Sequence, residues 1–184
     1  MLAVLAVLLL LMAATVPAVQ GLTRSSRRVA AVEKVMALLD QARSTATAQG
    51  KAVYVVFADE TAGDERDCRA AAIFMEPEDL SMPPVALSGW NILPAGCRFL
   101  KNPATPSLFT APGETPPPLF ALPGGNGSRA LPYLKFSPTG AVAHPSQSQW
   151  TRLFLSASSA ATDAPADQIS VALFTGRPKC QLAE

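Results

Sequence analysis

The sequence is poor in the side chains on which most enzyme and metal sites depend. Its 184 residues include one histidine and three cysteines, and His144 has no second His or Cys at the spacing of a zinc site. The chain contains no Gly-x-Ser-x-Gly element, no P-loop and no dinucleotide-binding fingerprint. We therefore expect no enzymatic activity, no metal ion and no cofactor, and we interpret His144 as a surface loop residue.

Charge is also scarce, and the two signs are balanced. The chain carries 15 Lys and Arg against 14 Asp and Glu, a net charge of +1, so no overall field favours nucleic acid or an acidic partner. The first charged side chain is Arg24, and residues 1–19 contain none. An uncharged apolar run of about 20 residues is long enough for a helix to cross the hydrocarbon core of a membrane.

Two interpretations of this run stay open. A secretory signal peptide would have a basic residue ahead of its apolar core and a small-residue cleavage site. Here no Lys or Arg precedes the core, and only a weak site exists around residues 16–18. A retained membrane helix fits better, because residues 22–49 continue without Gly or Pro. Residues 1–49 would then form one helix of roughly 70 Å at ~1.5 Å per residue.

The two halves of this predicted helix differ in character. In the first half, a proline is tolerated and small residues allow close helix approach in lipid: Ala3, Ala6, Ala13, Ala14 and Pro17. In the second half, apolar residues starting at Val29 recur at steps of three and four and form one stripe. The stripe residues that we expect to pack against the rest of the protein are Val32, Val35, Met36 and Leu39. Lys34 and Gln41 should face solvent.

The remaining residues, 50–184, predict a β-rich domain. Runs of β-branched and aromatic residues bounded by Gly and Pro indicate strands, at 51–58, 68–75, 85–93, 97–100, 131–136, 150–155 and 169–174. The alanines of 68–75 would also suit a helix. Residues 103–128 contain seven prolines, which predict a long exposed loop because proline cannot donate to a strand ladder.

The predicted fold is therefore α+β. A long N-terminal helix, transmembrane over 1–22 and amphipathic over 23–49, packs on an antiparallel sheet domain formed by 50–184. The cysteines Cys68, Cys97 and Cys180 leave two alternatives open: one disulfide with one thiol left over, or three unpaired thiols.

The N-terminal layout resembles that of type IV pilins and type II secretion pseudopilins. The stretch MLAVLAVLLLLMAATVPAVQGL is similar to the family's apolar helix, with Pro17 at the position of the family proline. The stretch QARSTATAQGKAVYVVF resembles the helix end and first strand of the minor pseudopilin H type. Further on, residues 134–140 resemble the family's Phe-x-Pro-x-Gly strand-turn, and residues 169–177 resemble its final strand and Gly-Arg turn. WNILPAGCRF, residues 90–99, resembles one group of these proteins, the Verru_Chthon cassette protein D type.

The sequence departs from the family at its start. The basic leader ending in Gly, and the first mature residues ending in Glu, do not appear before the apolar run. We expect them to be encoded upstream of Met1, in frame. A chain made as written would not be processed by prepilin peptidase, nor receive the N-terminal methylation of the family.

The resemblance implies a non-enzymatic minor pilin- or pseudopilin-like subunit of a type II secretion or type IV pilus-like filament. It would pass once through the inner membrane, with its globular domain in the periplasm or on a periplasmic or extracellular filament. Its partners would be other pilin-like subunits and the inner-membrane assembly platform. The Pro-rich segment 103–128 is the best candidate for partner contact, since long loops on a rigid scaffold often carry function.

Two other functions stay open. One is a secreted soluble binding module whose signal peptide is cleaved. The other is a pilin-like DNA-uptake protein, because some relatives carry a Gly-Arg-x-Arg element where this chain has Gly-Arg-Pro-Lys. Only Arg177 and Lys179 would contact phosphate there, which favours a structural turn over a nucleic-acid partner.

Overall fold

One long helix leads into the sheet domain. The computed structural model describes residues 2–59, 67–79, 81–100, 105–122, 127–156 and 166–182, with side chains described from Ser25 onward. Helix α1 spans Leu2–Gln49. It ends where Gly50, at a φ of +64°, donates its N–H to the carbonyl of Ala46 at 3.0 Å, a common helix C-cap. Across the described residues, no helix combines the length and the apolar character needed to span a membrane.

The strands of the described chain are short. They are β1 Val53–Phe57, β2 Ala70–Met75, β3 Val85–Ala86, β4 Asn91–Ile92, β5 Arg98–Phe99, β6 Phe120–Ala121, β7 Ser128–Arg129, β8 Tyr133–Phe136, β9 Val142–His144, β10 Arg152–Ser156, β11 Asp167–Val171 and β12 Pro178–Gln181. Two 3-10 turns, Leu108–Thr110 and Ser148–Trp150, lie between them. The 68–75 run forms a strand rather than a helix.

Within the described chain, these strands form two main sheets and one small ladder, and every pairing is antiparallel. The first sheet has the order β3-β2-β1-β8-β9, with β4 also paired to β2. The second has the order β12-β11-β10-β5, and β6 pairs only with β7. The expected α+β fold, with an N-terminal helix packed on antiparallel sheet, is confirmed.

Helix α1 packs between the inner faces of both sheets. Its buried residues are Ala31, Val32, Val35, Leu38, Leu39, Ala42 and Ala46. They share one core with Val55 of β1, Leu134 of β8 and Leu153 of β10. Val29, taken from sequence as part of the stripe, is 43% exposed, and the buried stripe begins two residues later, at Ala31.

The Pro-rich segment covers the outer face of the first sheet, which corrects its interpretation as an exposed loop. Residues 112–117 are exposed as expected, but Phe120 is fully buried. Phe120 packs with the outward-facing side chains of the sheet, among them Tyr54, Phe74 and Tyr133. The sheet is thus covered on both sides, by helix α1 on one and by this segment on the other.

Two further elements differ from the sequence interpretation. His144 lies on β9, and its side chain is only 14% exposed, so its assignment to a surface loop is wrong. Residues 178–181 form the edge strand β12, although they follow the Gly176 turn and contain a proline. Proline is tolerated in an edge strand because its missing N–H faces away from the ladder.

Candidate functional site

The predicted helix-to-sheet contacts lie in the core. Val32, Val35 and Leu39 are buried, with Leu39 fully so, and Met36 is partly buried against the same cluster. Gln41 is exposed. Lys34 is exposed as well, but its Nζ also donates to the carbonyl of Ile92 at 2.8 Å, so it ties the helix to strand β4.

A buried ion pair joins helix α1 to the second sheet. The Arg28 guanidinium donates to both carboxylate oxygens of Asp167, the first residue of β11, with Nε to Oδ2 at 2.8 Å. Asp167 is fully buried, and the Arg28 side chain is 28% exposed. The hydrogen bond to Asp167 raises the pKa of Arg28, although burial opposes the shift. Burying a carboxylate without such a partner would be costly.

The residues predicted to mediate assembly lie within α1, but their side chains are outside the described part of the structure. These are Ala3, Ala6, Ala13, Ala14 and Pro17. Their role in filament assembly stays a prediction.

Basic side chains line up across the second sheet. Arg152 of β10 pairs with Ser170 of β11, and Ser170 pairs with Lys179 of β12, so all three lie on one row. Lys179 and Arg177 are exposed, and Arg152 is half-buried. Among the described residues, neither Arg152 nor Lys179 forms an ion pair. Sequence reasoning missed Arg152, because only the strand register places it beside Lys179.

A polar network occupies the outer face of the first sheet. Tyr54 and Lys135 are cross-strand partners on β1 and β8. The Tyr54 hydroxyl and the Lys135 ammonium both donate to Glu76 Oε1, each at 2.8 Å. The ammonium also lies 5.1 Å from the centroid of the Tyr54 ring, a cation–π contact. Sequence reasoning missed this network. The signal that could have indicated it was the presence of Tyr54 and Lys135 in strands that are otherwise apolar.

The network shifts the pKa of each member. Burial, and then the hydrogen bond to Glu76, raise the pKa of Tyr54 to about 12. Burial alone would raise the pKa of Glu76, but the bonds from Lys135 and Tyr54 leave it below its usual value. Burial alone would lower the pKa of Lys135, but Glu76 and Tyr54 leave it above its usual value. At neutral pH the network therefore holds an ionised carboxylate and an ionised ammonium.

His144 belongs to the same face of the molecule. Its ring stacks on Tyr133 at 4.7 Å between centroids, and its Nδ1 lies 3.9 Å from Glu114 Oε1. Burial lowers the pKa of His144, against the attraction of Glu114. At neutral pH the ring is therefore mainly neutral, and its role here is packing.

No disulfide bond joins Cys68, Cys97 and Cys180, all of which lie in the described part of the chain. Cys68 and Cys97 are buried, and the Cys97 thiol donates to the carbonyl of Arg27 at 3.6 Å. Burial raises the pKa of the Cys97 and Cys180 thiols, which lowers their reactivity. In the described part of the chain, no group of three His, Cys, Asp or Glu side chains is placed to hold a metal ion.

Comparison with known proteins gives a structural likeness. No protein-family model matches the sequence, and no curated protein matches it. Among solved structures, the chain is similar to the crystal structure of the type IV minor pilin FimU from Pseudomonas aeruginosa strain PAO1. The TM-score is 0.49 at 17% sequence identity, covering 89% of this chain and 92% of that one.

Proposed function

We propose that this chain is a non-enzymatic, pilin-like subunit that is held in the inner membrane by its N-terminal helix. From there it would assemble with other pilin-like subunits into a type II secretion or type IV pilus-like filament. The observation that supports this proposal is that α1 is one continuous helix. The same helix that begins at Leu2, in a run without charge, buries its C-terminal stripe against two antiparallel sheets.

This arrangement suits a filament subunit. A helix that is packed firmly on a sheet domain can transmit force to that domain. The buried stripe around Leu39 and the Arg28–Asp167 pair both hold the helix against the sheets. A signal peptide has no need of a helix that continues into the core of the mature protein. The rival function, a secreted binding module with a cleaved signal peptide, does not account for this continuity.

Mature mass and membrane extraction separate the two functions. In its host, a retained subunit should keep residues 1–49 in the mature mass and resist alkaline extraction from membranes. Loss of about twenty residues, with recovery of the rest in the soluble fraction, would contradict the proposal. A reporter fused after Glu184 should prove active outside the cytoplasm, and cytoplasmic activity would also count against it.

A matched pair of variants tests the anchor itself. Leu8→Lys combined with Leu9→Lys places two charges inside the apolar run, each costing about 3 kcal/mol at the centre of a membrane helix. Gln20→Lys adds a charge near the end of the run, where a lysine side chain can extend to the membrane interface. We expect the double variant to leave the membrane fraction and Gln20→Lys to remain. Equal extraction of both would argue against a membrane-spanning helix.

The row of cations favours a second candidate, a DNA-uptake protein. Arg152 and Lys179 flank Ser170, and Arg177 is exposed next to the edge strand, so three cations are available where the sequence indicated two. Binding of a fluorescent 20-base-pair duplex, measured by anisotropy over a salt series, tests this candidate. Three phosphate contacts predict a slope of log K against log salt near −2.7, which Arg152→Gln should reduce by about one. An anisotropy change that does not depend on salt concentration would argue against DNA binding by these cations.

A further inference from the structure

The outer face of the first sheet carries a cleft of about 600 Å³. Tyr54, Glu76 and Lys135 line it from the sheet. The segments around residues 81–84 and 114–119 complete its lining. This volume falls in the range of sites that bind small molecules or short peptide segments.

Several hydrogen-bond donors of the cleft are already engaged. Tyr54 donates its hydroxyl to Glu76, Ser81 donates its hydroxyl to Asp79, and Lys135 donates one of its three N–H groups to Glu76. Proline supplies no N–H donor, and six prolines are among the lining residues: Pro77, Pro83, Pro84, Pro116, Pro117 and Pro118. Acceptors are left over, because both bonds to Glu76 end on Oε1, and its Oε2 accepts none among the described residues.

The charges of the cleft point the same way. Its described lining carries two carboxylates, Glu76 and Glu114, against the single ammonium of Lys135. Glu76 is only 26% exposed, so its charge is poorly screened by water, and Glu114 is 40% exposed nearer the rim. The electrostatic balance therefore favours a cation.

The rim of the cleft is apolar. Met82, which is 63% exposed, and Leu119, which is 50% exposed, both line it. Exposed apolar side chains beside a concave site are typical of surfaces that bind protein segments. A free polyamine or metal ion would make no use of them.

We propose that this cleft binds an extended segment of a partner protein through one arginine side chain. The guanidinium donates to the free oxygen of Glu76 and is attracted by Glu114, and apolar residues flanking the arginine pack on Met82 and Leu119. Arginine suits the site better than lysine, because a planar and weakly hydrated guanidinium enters a half-buried carboxylate site at lower cost. The proposal does not depend on whether the chain assembles into a filament.

A peptide pair tests the recognition of charge. The probes are acetyl-Leu-Arg-Leu-amide and the same peptide with citrulline, which keeps the shape of arginine but is neutral. Each is titrated by calorimetry into the full chain, kept in a non-ionic detergent. We expect saturable binding of the arginine peptide and about tenfold weaker binding of the citrulline peptide. Equal affinities, or no saturable binding of either, would overturn the proposal.

Variants locate the binding site. Glu114→Gln should weaken the arginine peptide at least threefold, and Glu76→Gln at least tenfold. The control is Glu78→Gln, because Glu78 is 85% exposed, pairs with Lys51 and does not line the cleft. Unchanged melting of Glu114→Gln would exclude a loss of binding through unfolding. Equal binding by Glu114→Gln and Glu78→Gln would overturn the assignment, as would tighter binding of acetyl-Leu-Glu-Leu-amide, which would point to Lys135 instead.

Discussion

At the scale of single residues, Gly140 and Gly176 hold two turns against the end of helix α1. Both have positive φ, +81° and +61°. A Cβ on Gly176 would overlap the carbonyl oxygen of Gly140 and come within 3.0 Å of Arg43 and Phe136. The last hairpin can therefore reach the helix only because no side chain stands between them.

Gly176→Ala should destabilise the protein by about 3 kcal/mol. A left-handed backbone costs alanine about 1 kcal/mol, and the overlap with a backbone carbonyl adds about 2 more. The control is Gly50→Ala, whose φ is +64° but whose Cβ would meet nothing within 4 Å; it should cost only about 1 kcal/mol. Urea unfolding of both variants measures the difference, and equal losses would argue against the close approach.

The Glu76 network should make stability fall in acid. Because the pKa of folded Glu76 is lowered, the unfolded chain takes up its proton first as the pH falls below about 4.5. The unfolded state then binds more protons, so its relative free energy drops and folded stability decreases. The contribution is complete above the unfolded pKa and is lost as the pH passes through the folded pKa.

Glu76→Gln tests this linkage. The variant should melt below the wild-type chain at pH 7, and the gap should narrow at pH 3, below the pKa of Glu76 in the unfolded chain, because the stabilisation by its charge decreases there. Thermal melts at the two pH values give the comparison. A gap of constant size would show that the stabilisation comes from packing rather than from the charged network.

At the scale of elements, helix α1 depends on its buried stripe. Leu39→Asp removes a fully buried apolar side chain and places an unpaired charge in the core, which should cost more than 4 kcal/mol. The control is Gln41→Asp on the exposed side of the helix, expected to cost about 0.5 kcal/mol. Thermal melts of both variants in the full chain measure the difference. Similar melting temperatures would argue that the helix does not pack on the sheets.

The Pro-rich segment depends on one aromatic anchor. Phe120→Ala empties a fully buried site beside Tyr54, Phe74 and Tyr133 and should cost about 3–5 kcal/mol. We also expect faster proteolysis within residues 111–119. Leu119→Ala next to it, 50% exposed, should cost under about 1 kcal/mol. Unchanged protease resistance in Phe120→Ala would show that the segment is held elsewhere.

At the scale of the whole molecule, the Arg28–Asp167 pair couples the helix to the second sheet. Arg28→Ala leaves the fully buried Asp167 without this partner, and breaking such a pair costs about 3 kcal/mol. Arg27→Ala, at an exposed neighbour, should have little effect. Denaturant unfolding of both variants measures the difference. Equal stability would mean that Asp167 is adequately held by its other contacts.

The elements that depend on local pattern were predictable from the sequence. The stripe through Val35 and Leu39 follows from spacing along one helix, and β1 and β8 follow from β-branched and aromatic runs. Strand β12 was missed because Pro178 and Lys179 carry no strand signal of their own. Its place comes from pairing with β11 across the Gly176 turn.

The sequence by itself determined the helix, its buried face and the α+β class, because apolar periodicity reports which side of an element must leave water. Only the tertiary structure decided where the remaining residues meet. Tyr54, Glu76 and Lys135 come from three separated parts of the chain and join through sheet pairing. Phe120 is buried against strands that are distant in sequence. His144 is half-buried because the register of β9 on β8 places it beside Lys135. Such contacts are non-local, and no pattern within a single segment encodes them.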